Sequence, residues 1–547
     1  MYTLQNDLGY SKKTIALCIV AIALLSLGLK LYTVNFSVLP SEDTFGYILR
    51  AIAHTHGDFS EPPRKTLGWS IFVSPFLGLV TSNNFLDYAN LVRMISLGIS
   101  TVTILPMYVL ARKFFSEKYS LVAAFLFAIE SHLNYNAGLG LSEPLFILTS
   151  ILSIYFILNK KPEYSFVSYL LVGILWWIRF NGVVMLLVIT VIYLINFQRT
   201  RSNLLKLAIG VAIFLAVSSP MLIQKYEQYG DPLYFSQSSA LYTGDYAAIL
   251  AENTKSLNYS PLDYVHDHGF VSFLQKFIAG GIYNILDQTV KLTLPYLIYM
   301  LPFGILFSFR AFDQNPKYMR ANWIVILITL GSFVTYFAVV QERRLIFHIV
   351  PFLIIFAIIP IQRLVEYGFS TFSFTKRQKN LALVIILITA FGLALLFTAR
   401  YQLVDVQLEN EKLDFAQYFL DHYQGTVIDT GDSLQSLRYV ILTQKQDFRQ
   451  YMTKNDDQFS KTDNLNVINL YAKSLPDLIK TSKQYNVHYL IVNKNSITQE
   501  WYPYVENVYD GNRSYLKKVF DPADRGFRKL EVQVFEIDYS EFEKTLG

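Results

Sequence analysis

The chain has 547 residues, 52% of them hydrophobic and 16% charged, where a soluble protein carries about a quarter charged residues. With 42 Phe and 38 Tyr, this is the composition of an integral membrane protein with aromatic belts at both faces. A net charge of +5 spread over this length argues for loop orientation and against nucleic acid as a partner, and the single cysteine, Cys18, excludes an intramolecular disulfide and argues against a cysteine-based metal site.

Ser11-Lys12-Lys13 leads into the first apolar run, residues 14–34. The run is too long for a signal-peptide core and no small-residue cleavage site follows it, so it reads as a permanent first span. Further runs near the ~20 residues needed to cross the hydrocarbon core lie at 88–111, 119–136, 142–159, 164–179, 181–197, 203–224, 292–309, 322–340, 345–363 and 380–399. The expectation is an α-helical multi-pass protein with about 11 transmembrane helices. Arg179-Phe180-Asn181-Gly182 is read as a tight hairpin between two of them.

Loop charge sets the orientation. Lys12 and Lys13, Arg112 to Lys118, Lys160 and Lys161, Arg199 to Lys206, Arg310 to Arg320, and Lys376 to Lys379 fall on one side, which the positive-inside rule makes cytoplasmic. Glu42, Asp43, Glu130, Glu143, Arg179 and Glu342-Arg343-Arg344 fall on the other. The N-terminus is then inside and the C-terminus outside, where the Asn-x-Ser sequons at Asn35, Asn258 and Asn512 also lie.

Two outer segments are long. Residues 37–87 hold a juxtamembrane helix over Thr44–His56 and an apolar patch, Trp69–Leu79, too short to span. Residues 225–291 are rich in tyrosine and end in Phe273, Leu274, Phe277, Ile278, Ile282 and Ile285, spaced as in a helix lying in the interface. Beyond Tyr401 the chain turns polar. Helical stretches at Asn410–Tyr423 and Leu475–Tyr485 alternate with strand-like runs ending at Asp429, at Val487–Val492 and at Leu530–Phe535, the pattern of a small α/β domain. The expected division is 1–400 for the membrane domain, with outer loops 37–87 and 225–291, and 401–547 for an extracytoplasmic α/β domain.

Several charged residues stand where a bilayer edge makes them costly. Asp43 and Tyr47 are four apart and share one helix face, and Ser41, Glu42 and Asp43 are also what a helix N-terminus favours. Gly57-Asp58 and Arg64-Lys65 follow. In Ser142-Glu143-Pro144-Leu145-Phe146 the Ser and Pro start a helix, and the acid is either part of that start or a group that orients an acceptor. Arg179, Arg343 and Arg344 either snorkel to headgroups or hold a phosphate with their planar forks. His348 reads as packing.

This order of motifs resembles the GT-C glycosyltransferases that use polyprenyl-phosphate sugars, among them the protein O-mannosyltransferases (glycosyltransferase family 39) and the lipid A aminoarabinose transferases. Those proteins open with a first span, an outer loop reading Asp-(Glu)-x-x-Tyr, a helix, Gly-Asp and a basic-aromatic stretch. Asp43, Tyr47, Gly57-Asp58 and Lys65 fall in that order here, Glu143 sits in a similar Ser-Glu-Pro-Leu-Phe string, and Glu342-Arg343-Arg344-Leu345 through Pro351 is similar to a run opening a late span. The acidic pair reads Glu-Asp where the relatives read Asp-Glu, so both Asp43 and Glu42 stay open as the base.

The resemblance implies a prokaryotic or archaeal hexosyltransferase, transferring a hexose such as mannose from a polyprenyl- or dolichyl-phosphate donor to a protein, glycan or lipid acceptor at the outer face, with inversion. Asp43 or Glu42 would take the acceptor proton. Lys65, Arg64, Arg179, Arg343 and Arg344 would hold the donor phosphate, and Tyr47, Glu143 and Asp58 would position acceptor and sugar. A monophosphate donor asks less of a metal than a diphosphate does, so no cofactor is required on this reading and the need for a divalent metal stays open. Two rivals remain. An oligosaccharyltransferase with a diphosphate donor carries a Trp-Trp-Asp-Tyr-Gly motif, whereas Trp176-Trp177 here precedes Ile178-Arg179 inside an apolar run. A transporter or flippase places ionisable groups near the midplane, often in repeated halves, and no repeat is detectable.

Overall fold

Helix α1 (Lys12–Thr33) opens where the Ser11 side chain accepts the Thr14 N–H, and it stops as Val34 turns extended. The computed structural model describes residues 11–59, 66–82, 84–235, 240–254, 259–309, 316–402, 405–430, 433–443, 465–494, 502, 504 and 506–546. The chain leaving α1 is clamped by the helix Phe85–Val102: Asn90 donates to the Phe36 carbonyl at 3.0 Å, and Arg93 to those of Val38 and Leu39, both at 3.1 Å. These bonds satisfy carbonyls that a loop at the bilayer edge would otherwise leave unpaired.

Helix α2 (Glu42–Thr55) follows, capped by Ser41. Phe45, Ile48, Leu49 and Ile52 recur at helical spacing and bury against Trp69, Val73, Phe85 and Val92, with Phe45 stacked on Phe85 at 4.2 Å. Each such side chain contributes about 1.5–3 kcal/mol through burial. The helix ends at His56, and Gly57, at φ +82°, turns the chain away.

All the apolar runs singled out in the sequence lie on helices, but not all of those helices are long. Among the described residues five helical stretches are long and apolar enough to cross a bilayer: Lys12–Thr33, Phe85–Ala111, Arg201–Tyr229, Arg343–Thr371 and the one opened by Lys376–Thr398. Phe270–Leu292 and Leu297–Ser308 make a sixth if the pair, bent by 116°, counts as one span. Elsewhere the helices are short or broken. Glu130 separates Glu117–Ala128 from Ser131–Gly138 by capping the second, and extended Arg179 separates Ser165–Ile178 from the turn at Phe180–Val183. At the centre runs Val350–Arg363, with every residue from Val350 to Ile361 buried, as an all-round apolar pattern requires.

The polar C-terminal stretch forms a five-stranded sheet, β1 (Gly425–Asp429), β2 (Leu465–Ile468), β3 (Val487–Asn493), β4 (Leu516–Phe520) and β5 (Val532–Ile537), in the order β2-β1-β3-β5-β4. The first three strands are parallel, with Val427 opposite Val467 and Tyr489. Strand β5 runs antiparallel to β3, and β4 to β5. The buried Glu411 accepts the backbone N–H groups of Arg528, Lys529 and Leu530, which ties the helix Val406–His422 to the approach to β5.

The sheet is fastened to the helical part. Residues just beyond β2 pair with residues 252–253: Glu252 N–H donates to the Asn469 carbonyl at 2.8 Å, and Asn253 and Tyr471 exchange two bonds of 2.9 Å. The helix Ser433–Thr443, which follows β1, rests on the start of α2.

Candidate active site

Helix α2 carries Glu42, Asp43 and Tyr47 on its first turns, over the start of the helix Glu143–Ile157. Asp43 receives a hydrogen bond of 3.0 Å from Arg344, a residue 301 positions away, and Arg344 also pairs with Glu342. Arg179 pairs with Glu143 and donates to the Ser142 hydroxyl at 3.4 Å, while the Tyr47 hydroxyl lies 3.5 Å from the same Ser142 oxygen. Asp43 and Tyr47 on α2 thus meet Glu143, Arg179 and Arg344 from distant segments in one alternating cluster. The Asp43 side chain is 41% exposed and that of Glu143 only 3%, so of these two acids Asp43 is the accessible one. Glu143 Oε2 is buried and has no hydrogen-bond partner among the described residues.

Tyr246, on the outer segment, completes the rim. Burial pushes its phenol well above the ordinary tyrosine value, and the charges of Glu342 and Asp43 act in the same direction. Glu42 points elsewhere: its carboxylate pairs with Arg438 of the helix Ser433–Thr443 at 3.1 Å. Adjacent acids are therefore held by different parts of the chain.

Adjacent arginines diverge as well. Arg343 turns away from Arg344 and donates through Nε to Gln288 at 3.2 Å, and it makes no ion pair among the described residues. Its charge reaches Glu130, His132 and Tyr401. His132 Nε2 faces the Lys291 carbonyl at 3.2 Å and so carries the proton of the neutral ring, leaving Nδ1 to accept from the Tyr401 hydroxyl at 2.9 Å. Glu130 is buried, caps its helix through Oε2 and leaves Oε1 without a partner among the described residues. The sequence reading sets Glu130 on an outer loop; the structure buries it at a helix break, because the N–H groups opening Ser131–Gly138 need an acceptor.

Other expected residues do not join this cluster. Asp58 lies beyond the far end of α2, roughly 20 Å along the axis from Asp43 at 1.5 Å per residue, where its carbonyl meets His54 Nδ1 at 2.7 Å. Arg64 and Lys65 lie outside the described residues. His348 is buried edge-on against Phe146, a packing role. Arg179 and Arg344 are paired with carboxylates and do not reach out as snorkelling residues would. Among the described residues no three His, Cys, Asp or Glu side chains are placed to hold a metal ion, and the acids of the cluster lean on guanidinium groups instead. Residues the sequence reading missed are Arg438, Gln288, His132 and Tyr401, none of which stands in a local motif.

Residues 85–223 match the family model described as dolichyl-phosphate-mannose-protein mannosyltransferase. The whole chain superposes on membrane glycosyltransferases of known structure. The oligosaccharyltransferase AglB of Archaeoglobus fulgidus, in complex with an inhibitory peptide and a dolichol-phosphate, matches with a TM-score of 0.54 at 12% identity, covering 93% of this chain and 73% of that one. The same enzyme in complex with Zn and sulfate gives 0.55 at 13% identity, over 92% and 72%. ArnT of Cupriavidus metallidurans bound to undecaprenyl phosphate gives 0.53 at 12% identity, over 97% and 99%. The chain shares the fold of these membrane glycosyltransferases. No curated protein sequence matches it. The family-model segment includes Glu143 and Arg179, whereas Asp43, Arg343 and Arg344 lie outside that segment and meet it only through the fold.

Proposed function

We propose that the enzyme moves one sugar, a hexose such as mannose, from a polyprenyl monophosphate to a hydroxyl of a protein, glycan or lipid acceptor at the outer membrane face. The acceptor oxygen attacks the anomeric carbon as the bond from that carbon to the phosphate oxygen breaks, so configuration inverts. Asp43 takes the acceptor proton, and the lipid phosphate leaves with the bond's electron pair. Arg344 holds the Asp43 carboxylate in place through their contact at 3.0 Å. Arg343, whose contact is a neutral amide, holds the departing phosphate with a fork suited to its oxygens. Tyr47 positions the acceptor and sugar, and Glu143 stands behind it, bonded to Arg179. Arg179 sets Glu143, and Arg64 and Lys65 add charge for the donor.

One observation carries this reading: Arg343 and Arg344 are neighbours, yet one faces the exposed acid and the other does not. That separates a proton-accepting side from a phosphate side, as an in-line displacement requires. No step is routed through a metal. We further take residues 1–400 as the membrane domain and 401–547 as an extracytoplasmic one, with the N-terminus cytoplasmic. Protease added to intact cells then cuts the C-terminal domain; cleavage only in broken cells inverts the topology.

The test is transfer in vitro from a polyprenyl-phosphate sugar, with Asp43→Asn expected to fold and lose nearly all activity. A second reading, transfer of an oligosaccharide from a diphosphate donor, is supported by the superposition on AglB. Against it stands the fuller mutual coverage with ArnT. Offering the purified enzyme monophosphate- and diphosphate-linked donors side by side, with and without a chelator, decides between the two.

A further inference from the structure

Arg438 belongs to the helix Ser433–Thr443, whose Leu437 and Val440 pack into the core of the C-terminal sheet. Its guanidinium points the other way and holds Glu42, the residue next to Asp43, at 3.1 Å. The following residue, Tyr439, packs on both sides of the junction, against the sheet's core and against the apolar cluster beneath α2. Together they seat the C-terminal domain on the first turn of α2, beside the hydrogen bonds that Asn469 and Tyr471 make to the outer segment.

Ser41 caps that turn, the Thr44 hydroxyl donates to the Leu139 carbonyl at 2.7 Å, and Phe45 stacks on Phe85. Asp43 is held by Arg344, on the run that opens the late buried helix. The adjacent carboxylates of this turn are therefore gripped from two different parts of the chain, one of them the sheet domain. A shift of about 1 Å in a reacting group changes rates as much as 10²-fold, so the grip on Glu42 bears on where Asp43 points.

We propose that Arg438 is a positioning residue for sugar transfer: by holding Glu42, the C-terminal domain fixes the first turn of α2 and with it the direction of the Asp43 carboxylate. Glu42 is on this view an anchor and takes no proton. The inference rests on the reading of Asp43 as the base.

Charge exchange tests it. The pair is partly exposed, so losing it costs little stability, and Arg438→Ala is expected to lower kcat about three- to tenfold with the donor KM changed less than about twofold. Arg438→Glu and Glu42→Arg are each expected to lose more, because like charges then face each other. The double variant carrying both reversals is expected to recover to within about threefold of wild type. Melting temperatures of the singles near wild type separate positioning from loss of fold. A double variant no faster than Glu42→Arg alone overturns the proposal and makes Glu42 part of the chemistry; a wild-type rate in Arg438→Ala overturns it by showing the contact idle. The underlying reading fails separately, through a wild-type rate in Asp43→Asn.

Discussion

The surroundings of Arg343 and Arg344 differ as sharply as any two regions of this molecule, although the residues are adjacent. Arg344 stands among carboxylates, bonded to Asp43 and Glu342, at the mouth of the site. Arg343 is bonded to the neutral amide of Gln288, and its charge reaches His132, Tyr401 and the buried Glu130. A short 3₁₀ stretch, Arg343–Ile349, makes this possible, since successive side chains about a three-residue turn diverge by roughly 120°. The lesson is that a doubled basic motif need not be one binding site. One guanidinium is bonded to an acid, and its neighbour to an amide.

The comparison is broken most severely on the acid side. Asp43→Asn is expected to lower transfer by about 10²–10⁴-fold, the usual weight of a general base, while Glu42→Gln stays within tenfold; matched expression and single-turnover assays check both, and reversed results exchange their roles. Next in size, Glu143→Ala leaves Arg179 buried without its partner and is expected to cost about 3–5 kcal/mol of stability, read as a lower melting temperature in detergent.

On the phosphate side the effects are smaller and of another kind. Arg343→Ala is expected to raise the donor KM about tenfold, with Arg343→Lys rescuing only part of it because the ammonium lacks the planar fork. Equal donor kinetics in wild type and Arg343→Ala would remove the phosphate role. Smallest is Tyr401→Phe, which deletes the hydrogen bond to His132 and is expected to cost about 1 kcal/mol of stability, with kcat within twofold. A larger fall in kcat would move Tyr401 from packing into the site.

Much of the scaffold is legible in the sequence, for a local reason. Helix α2 announces itself through Ser41 before Glu42-Asp43 and through apolar residues at 45, 48, 49 and 52, and the central strands β1 and β3 through short runs of Val, Ile and Leu. Strands β2 and β4 are harder to see because they sit at the sheet edges. Strand β2 has four residues, and β4 carries Lys517-Lys518 in its middle, the sort of charge that guards an open edge. The helix Ser433–Thr443 is hidden for a different reason, its polar face being reserved for a neighbour far away in sequence.

For the site, the sequence names residue types and leaves out the partners. Asp43, Glu143, Arg179 and the Arg343-Arg344 pair are each conspicuous as charges at a bilayer edge. Which cation serves which acid is decided by contacts spanning 36 positions for Arg179 and Glu143, 301 for Arg344 and Asp43, and 396 for Arg438 and Glu42. No spacing rule within a helix or strand encodes such distances. That is why Asp58, attractive by motif order, lies at the wrong end of α2, and why Arg438 escapes notice altogether.

The central helix has one more consequence, for how such an enzyme can diverge over time. From Val350 to Ile361 every side chain is enclosed by protein, whereas α1 exposes residues such as Leu17, Val20 and Leu24 on its surface. Positions on α1 that touch lipid accept any apolar residue, so that helix is free to drift. The enclosed helix accepts only exchanges that conserve volume, since both voids and excess atoms are penalised in a packed interior. The arginines at 343 and 344 are therefore mounted on the segment least able to change, and the more exposed helices can be remodelled around them without moving them.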